Sequence, residues 1–107
     1  MTQSYIISPE ESTEIPRCGS FIRIDRMSIT SNDSFIIEHF NQRVSVMANV
    51  SSLTSSGQRV RIEAAIGSFI IGCDFDRSVN IVLSPTDECT LSLIGAPATI
   101  QLLCTII

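Results

Sequence analysis

Apolar side chains recur at every second position over most of this chain. Val44, Val46, Ala48 and Val50 are separated by Ser45, Met47 and Asn49. Val60, Ile62 and Ala64 alternate with Arg59, Arg61 and Glu63, and Ile100, Leu102, Cys104 and Ile106 with Gln101, Leu103 and Thr105. A period of two sends successive side chains to opposite faces of a sheet, so each run predicts a strand with one buried face. Strands are expected over 21–27, 34–40, 43–50, 58–65, 68–73, 78–83, 89–94 and 99–107. Turn-forming residues separate them: Asn32-Asp33, Asn41-Gln42, the small polar stretch 51–57, Asp74 to Arg77, Ser84-Pro85-Thr86-Asp87-Glu88 and Gly95-Ala96-Pro97. Eight short strands at this spacing predict an all-β fold, an antiparallel β-sandwich of the eight-stranded jelly-roll type.

Residues 1–17 break the pattern. Ser8 to Glu14 is polar and acidic, and Pro9 and Pro16 interrupt pairing. An extended N-terminal arm is expected there, with residues 18–107 forming the sandwich. Within the arm, Tyr5, Ile6 and Ile7 make an apolar anchor suited to pockets on a neighbouring subunit. In the final strand, Ile100, Leu102, Cys104 and Ile106 are placed in the core. Gln101 and Leu103 lie on the opposite face, a second candidate interface.

Composition strengthens the β reading. Seventeen residues are Ile and twenty-four are Ser or Thr, and β-branched side chains favour a pleated surface over a helix. Only 17% of the chain is charged, against about 25% in an average domain. A small domain this short of charge is expected to cover part of its surface with other copies of itself, as a trimer or pentamer rather than a dimer. The net charge is −4, all seven basic residues are Arg, and no basic stripe is visible. Direct nucleic-acid binding is therefore not expected. No apolar run is long enough to span a bilayer, and no export signal is visible.

Few residues bear chemistry. His39 is the single histidine, and no nucleophile-base pattern surrounds it, so a structural role is expected. Asp74, Asp76, Asp87 and Glu88 fall in turns. They lack the spacing of a calcium loop and read as turn formers. Glu10, Glu11 and Glu14 read as a solvated face. Cys18, Cys73, Cys89 and Cys104 have no metal-ligand spacing. Reduced thiols are the default without an export signal, and one disulfide of open pairing is the alternative. Gly19-Ser20-Phe21-Ile22 recurs as Gly67-Ser68-Phe69-Ile70, which reads as a common strand entry. Neither enzymatic activity nor a cofactor or metal is expected.

The segment Pro16-Arg17-Cys18-Gly19-Ser20-Phe21-Ile22-Arg23-Ile24, preceded by a short acidic arm, resembles the opening of small all-β virion proteins of bacteriophages. Cys73-Asp74-Phe75-Asp76-Arg77-Ser78-Val79-Asn80-Ile81 is similar to a later strand pair of theirs. The likeness runs from about residue 6 to residue 95. It departs in the four cysteines and the apolar final strand. The resemblance implies a structural component of a viral particle: a capsid accessory, vertex, spike-base or tail-attached protein. Such a protein would be assembled in the host cytoplasm, reside in the virion, and dock on other virion proteins. A ligand- or carbohydrate-binding β-sandwich module is the alternative, though the absence of Trp and the single Tyr disfavour it.

Overall fold

A computed structural model describes all 107 residues. Eight strands form two antiparallel four-stranded sheets. In chain order they are β1 (Thr2–Ile7), β2 (Thr13–Ile15), β3 (Ile22–Ile29), β4 (Arg43–Leu53), β5 (Arg59–Ile70), β6 (Asp76–Leu83), β7 (Glu88–Gly95) and β8 (Ile100–Ile106). One sheet runs β1-β8-β3-β6 and the other β2-β7-β4-β5. The expected antiparallel β-sandwich is present. β1 and β2 share one flank, and β6 and β5 share the other.

The core is entirely apolar. Eighteen residues are buried, and none is polar or charged. They alternate as the pattern requires: Ile100, Leu102 and Cys104 from β8 meet Val44, Val46 and Ala48 from β4 and Cys89 and Leu91 from β7. The four inward positions expected in the last strand hold, with Ile106 packed at the rim.

Three expectations are corrected. The free arm expected over residues 1–17 is not confirmed. Residues 2–7 pair with β8 from Thr2↔Thr105 to Ile7↔Ile100, and Thr13–Ile15 pair with β7. Ile7 and Ile15 are core residues. Alternation holds in β1 too, with Tyr5 and Ile7 inward and Ile6 outward, hidden by the contiguous apolar triplet.

The strand expected over 34–40 is instead a helix, α1 (Asp33–Glu38). The Asn32 side chain accepts a hydrogen bond from the Phe35 N–H at 2.9 Å, capping its start. The Phe35 and His39 rings stack one turn apart, with centroids 4.6 Å apart. The two strands expected over 58–65 and 68–73 are one strand and a turn. β5 runs unbroken to Ile70, and a bulge opposite Val46/Met47 shifts the register between Ala65 and Gly67. The extra residue reverses the alternation and mimics a break.

The Gly-Ser-Phe-Ile echo has no structural counterpart. Phe69 is fully buried inside β5, whereas Phe21 is half-exposed just before β3.

The loops sort by end. Ile29 N–H bonds Phe75 O, Thr30 N–H bonds Thr99 O, Asn41 N–H bonds Ile71 O and Ala96 N–H bonds Arg43 O. The β3–β4, β5–β6 and β7–β8 connections therefore meet at one end, together with α1. The β1–β2 loop joins them, since Ile7 pairs with Ile100. Both chain termini lie at the other end, where Ile106 N–H bonds Met1 O.

Candidate assembly surface

The inner face of β5 begins buried and ends bare. At its C-terminal end Phe69 is fully enclosed, and Gly67 lies so close to the Met27 methyl that a Cβ would overlap it. Past the bulge, Ala64, Ile62 and Val60 occupy the same inward face as Ala48, Val50 and Ser52, their partners on β4. Yet Ile62 is 55% exposed and Val60 45%. The cause lies in the opposite sheet. β6 meets β5 only near their short connection, where Arg77 Nε donates to Ser68 O at 3.1 Å. Beyond that point nothing of this chain covers β5.

β5 is also an edge strand twelve residues long. Long apolar edges are normally shortened, kinked or covered, because their free N–H and C=O groups pair with other chains. The radius of gyration agrees, at 14.5 Å against about 13 Å for a compact domain of this length. Alternation located Val60, Ile62 and Ala64 on an inward face. A period of two carries no information on whether a chain's own second sheet reaches that face.

The five residues expected at interfaces separate. Ile6, Gln101 and Leu103 come together on the outer face of the β1-β8-β3-β6 sheet, where Ile6 pairs with Gln101 and Leu103 with Ser4. All three are exposed. Tyr5 and Ile7 point the other way. The Tyr5 hydroxyl donates to Gln3 Oε1 at 2.8 Å, burial raises its pKa, and Ile7 is sealed in the core.

Beside Leu103 a small polar network crosses the sheet. Asp25 accepts from the Thr105 hydroxyl and from Arg23 Nε, and these bonds hold its carboxyl below the ordinary range. A register shift in β3 between Ile24 and Arg26 leaves both Asp25 and Arg26 off the core face.

Charge is unevenly placed. Arg17 and Arg59 both approach Glu88 at 3.6 Å, Arg77 meets Asp74 at 3.1 Å, and Arg26 meets Asp76 at 4.0 Å. Arg61, on β5, has no carboxylate partner, and Glu10, Glu11 and Glu14, on the β1–β2 flank, have no cation. The four loops at the α1 end carry Glu10, Glu11, Asp33, Glu38 and Asp74, with no Arg or Lys.

The other chemistry-bearing residues hold the fold. Asp74 accepts from the Ile70 N–H at 2.9 Å and Asp87 from the Ser84 N–H at 2.9 Å, at opposite ends of the sandwich. Burial pushes the Asp87 carboxyl up, but the Ser84 backbone and the Ser52 hydroxyl outweigh it, and its pKa is lowered. His39 Nδ1 lies 3.0 Å from Gln42 Oε1 at the end of α1. All four cysteines are free thiols, and burial pushes Cys89 and Cys104 up to about 11. One cleft of about 280 Å³ lies between the β1–β2 loop and the β7–β8 turn, lined by Pro9, Glu10, Leu93, Gly95, Ala96 and Pro97. It offers one carboxylate and no aromatic platform, so the carbohydrate-binding alternative draws no support from it. No helix is long and apolar enough to cross a membrane.

No family model and no curated protein sequence matches this chain. Solved structures do. The core of Drosophila NLP, described for its pentamer formation and histone binding, superposes with a TM-score of 0.74 at 13% identity, covering 99% of this chain and 97% of that one. The nucleoplasmin-like N-terminal domain of Drosophila FKBP39 superposes with a TM-score of 0.60 at 8% identity, covering 100% and 89%. The resemblance to bacteriophage virion proteins is overturned, and with it the capsid role, the virion partners and the virion location. The motifs behind it were strand-entry and turn residues, which unrelated sandwiches share. At these identities the likeness lies in backbone architecture: the chain has the β-sandwich fold of nucleoplasmin-like domains.

Proposed function

We propose that this chain is a non-enzymatic assembly module that forms a homopentamer and binds basic proteins of the histone class. The observation that carries this reading is the uncovered inner face of β5, built with core-type side chains and left bare by the chain's own second sheet. A second copy supplies the missing cover. The strand order 1-8-3-6 over 2-7-4-5 supports reading the sandwich as a jelly roll of two interleaved Greek keys. The NLP core, similar in fold over nearly its whole length, is described as a pentamer that binds histones. Of the five carboxylates at one end, Asp74 is held by Arg77, and Glu10, Glu11, Asp33 and Glu38, without an Arg partner, give this chain a surface suited to cationic partners.

Two measurements test the reading. Light scattering on the purified chain is expected to give about five times the 11.7 kDa chain mass. Ile62→Asp is expected to give a folded monomer, because the new carboxylate would be desolvated only in the assembly. Core histones are expected to bind at moderate ionic strength and to release as salt is raised. A wild-type monomer refutes the assembly, and failure to bind histones at low salt refutes the partner class.

A further inference from the structure

We propose that the β5 flank of one copy docks on the β1–β2 flank of the next, head to tail, with Ile62 seated near Ile6. The inference rests on the assembly reading above and identifies its two surfaces. β5 and β1 are the edge strands at opposite flanks of the sandwich. A contact between two different surfaces on opposite flanks repeats around an axis, whereas a self-complementary contact stops at two copies.

Each flank supplies what the other lacks. The β5 flank carries the bare aliphatics Val60 and Ile62, with Arg61 and Glu63, neither of them in an ion pair, on the other face of the strand. The β1–β2 flank carries the half-exposed Ile6 and the unpaired carboxylates Glu10, Glu11 and Glu14. Docking the two covers apolar with apolar and brings Arg61 to a flank that carries three unpaired carboxylates. Pairing β5 with another β5 would leave the acidic flank unmatched.

Cross-linking decides between these arrangements. In a chain carrying Cys18→Ser and Cys73→Ser, so that its remaining thiols are buried, a short bis-maleimide is applied to Ile6→Cys, to Ile62→Cys and to the double variant. Both positions are about half-exposed in the single chain, and circular dichroism checks that the fold is kept. The double variant is expected to yield a ladder of two, three and four chains ending in a closed ring. A one-to-one mixture of the single variants is expected to yield covalent dimers and nothing larger. A dimer from Ile62→Cys alone overturns the inference in favour of β5–β5 pairing. A pentamer mass for the unmodified chain with no ladder from the double variant also overturns it and leaves the assembly reading standing. A monomer mass for the unmodified chain overturns both.

Discussion

Ile6 and Ile7 are adjacent on one strand, and the structure assigns them opposite fates. Ile7 is 0% exposed and Ile6 is 49% exposed. Truncating a buried Ile to Ala removes its transfer free energy and leaves a cavity, at about 2–5 kcal/mol. The apolar packing around Ile7 is continuous, so a cost near the middle, about 3 kcal/mol, is expected for Ile7→Ala. Each kcal/mol moves the melting temperature of a domain of this size by roughly 4–8 °C, which places the expected drop at about 12–24 °C. Ile6→Ala removes a side chain half in water, and its cost should stay within about 1 kcal/mol. Thermal melts followed by circular dichroism compare the two. They should be run at concentrations where the chain is monomeric, since association raises apparent stability by mass action. Equal drops, or a larger drop for Ile6→Ala, would mean that β1 is not part of the core and that residues 2–7 serve a neighbour instead.

Three further outcomes are expected. Gly95→Ala should destabilise by about 1–3 kcal/mol, because φ is +112° and a Cβ would lie 2.2 Å from Arg43 O; Gly57→Ala, at φ +84° in open space, should cost less, and urea unfolding ranks them. Asp87 has a lowered pKa in the folded state, so its stabilising contribution is present above the unfolded value of about 3.8 and disappears as pH falls through the folded one. The urea midpoint should therefore fall on acidification below pH 4, and less steeply in Asp87→Asn. A maleimide should label Cys18 and Cys73 in the native chain and reach Cys89 and Cys104 only in denaturant, a count that mass spectrometry reads directly.

β4, β7 and β8 were legible because each has one face in a continuous apolar core. Their inward residues, from Val44 to Cys104, follow the two-residue period. Where that period fails, a local device is responsible. α1 has only six residues, too few to separate a period of 3.6 from a period of two. Its Asn32 cap looks like a turn residue, and Phe35-Ile36-Ile37 looks like a strand interior. The bulge in β5 inserts one residue and flips the faces, so one strand reads as two. In β1 the outward Ile6 between inward Tyr5 and Ile7 fills in the alternation. The bare surface of β5 was half legible. Val60, Ile62 and Ala64 were correctly set on one face, and Gln101 and Leu103 on an exposed one, whereas Ile6 was read as one anchor with Tyr5 and Ile7, which point inward. That the first face is bare depends on the divergence of β6, a property of two sheets in space that no single strand encodes.

The sorting of loops by end has a consequence for any cyclic assembly. Rotation about a cyclic axis never inverts a subunit along that axis, so every copy presents the same end to the same side. If the strands stand along the axis, the ring is a sided object. One rim repeats α1 and the loop carboxylates of Glu10, Glu11, Asp33, Glu38 and Asp74. The other repeats the termini with the loop residues Arg17 and Asp87, whose charges cancel. A polycation would engage several equivalent acidic loops at once on the first rim, so weak contacts would act at high effective concentration. The opposite rim, free of that load, is where the chain begins and ends.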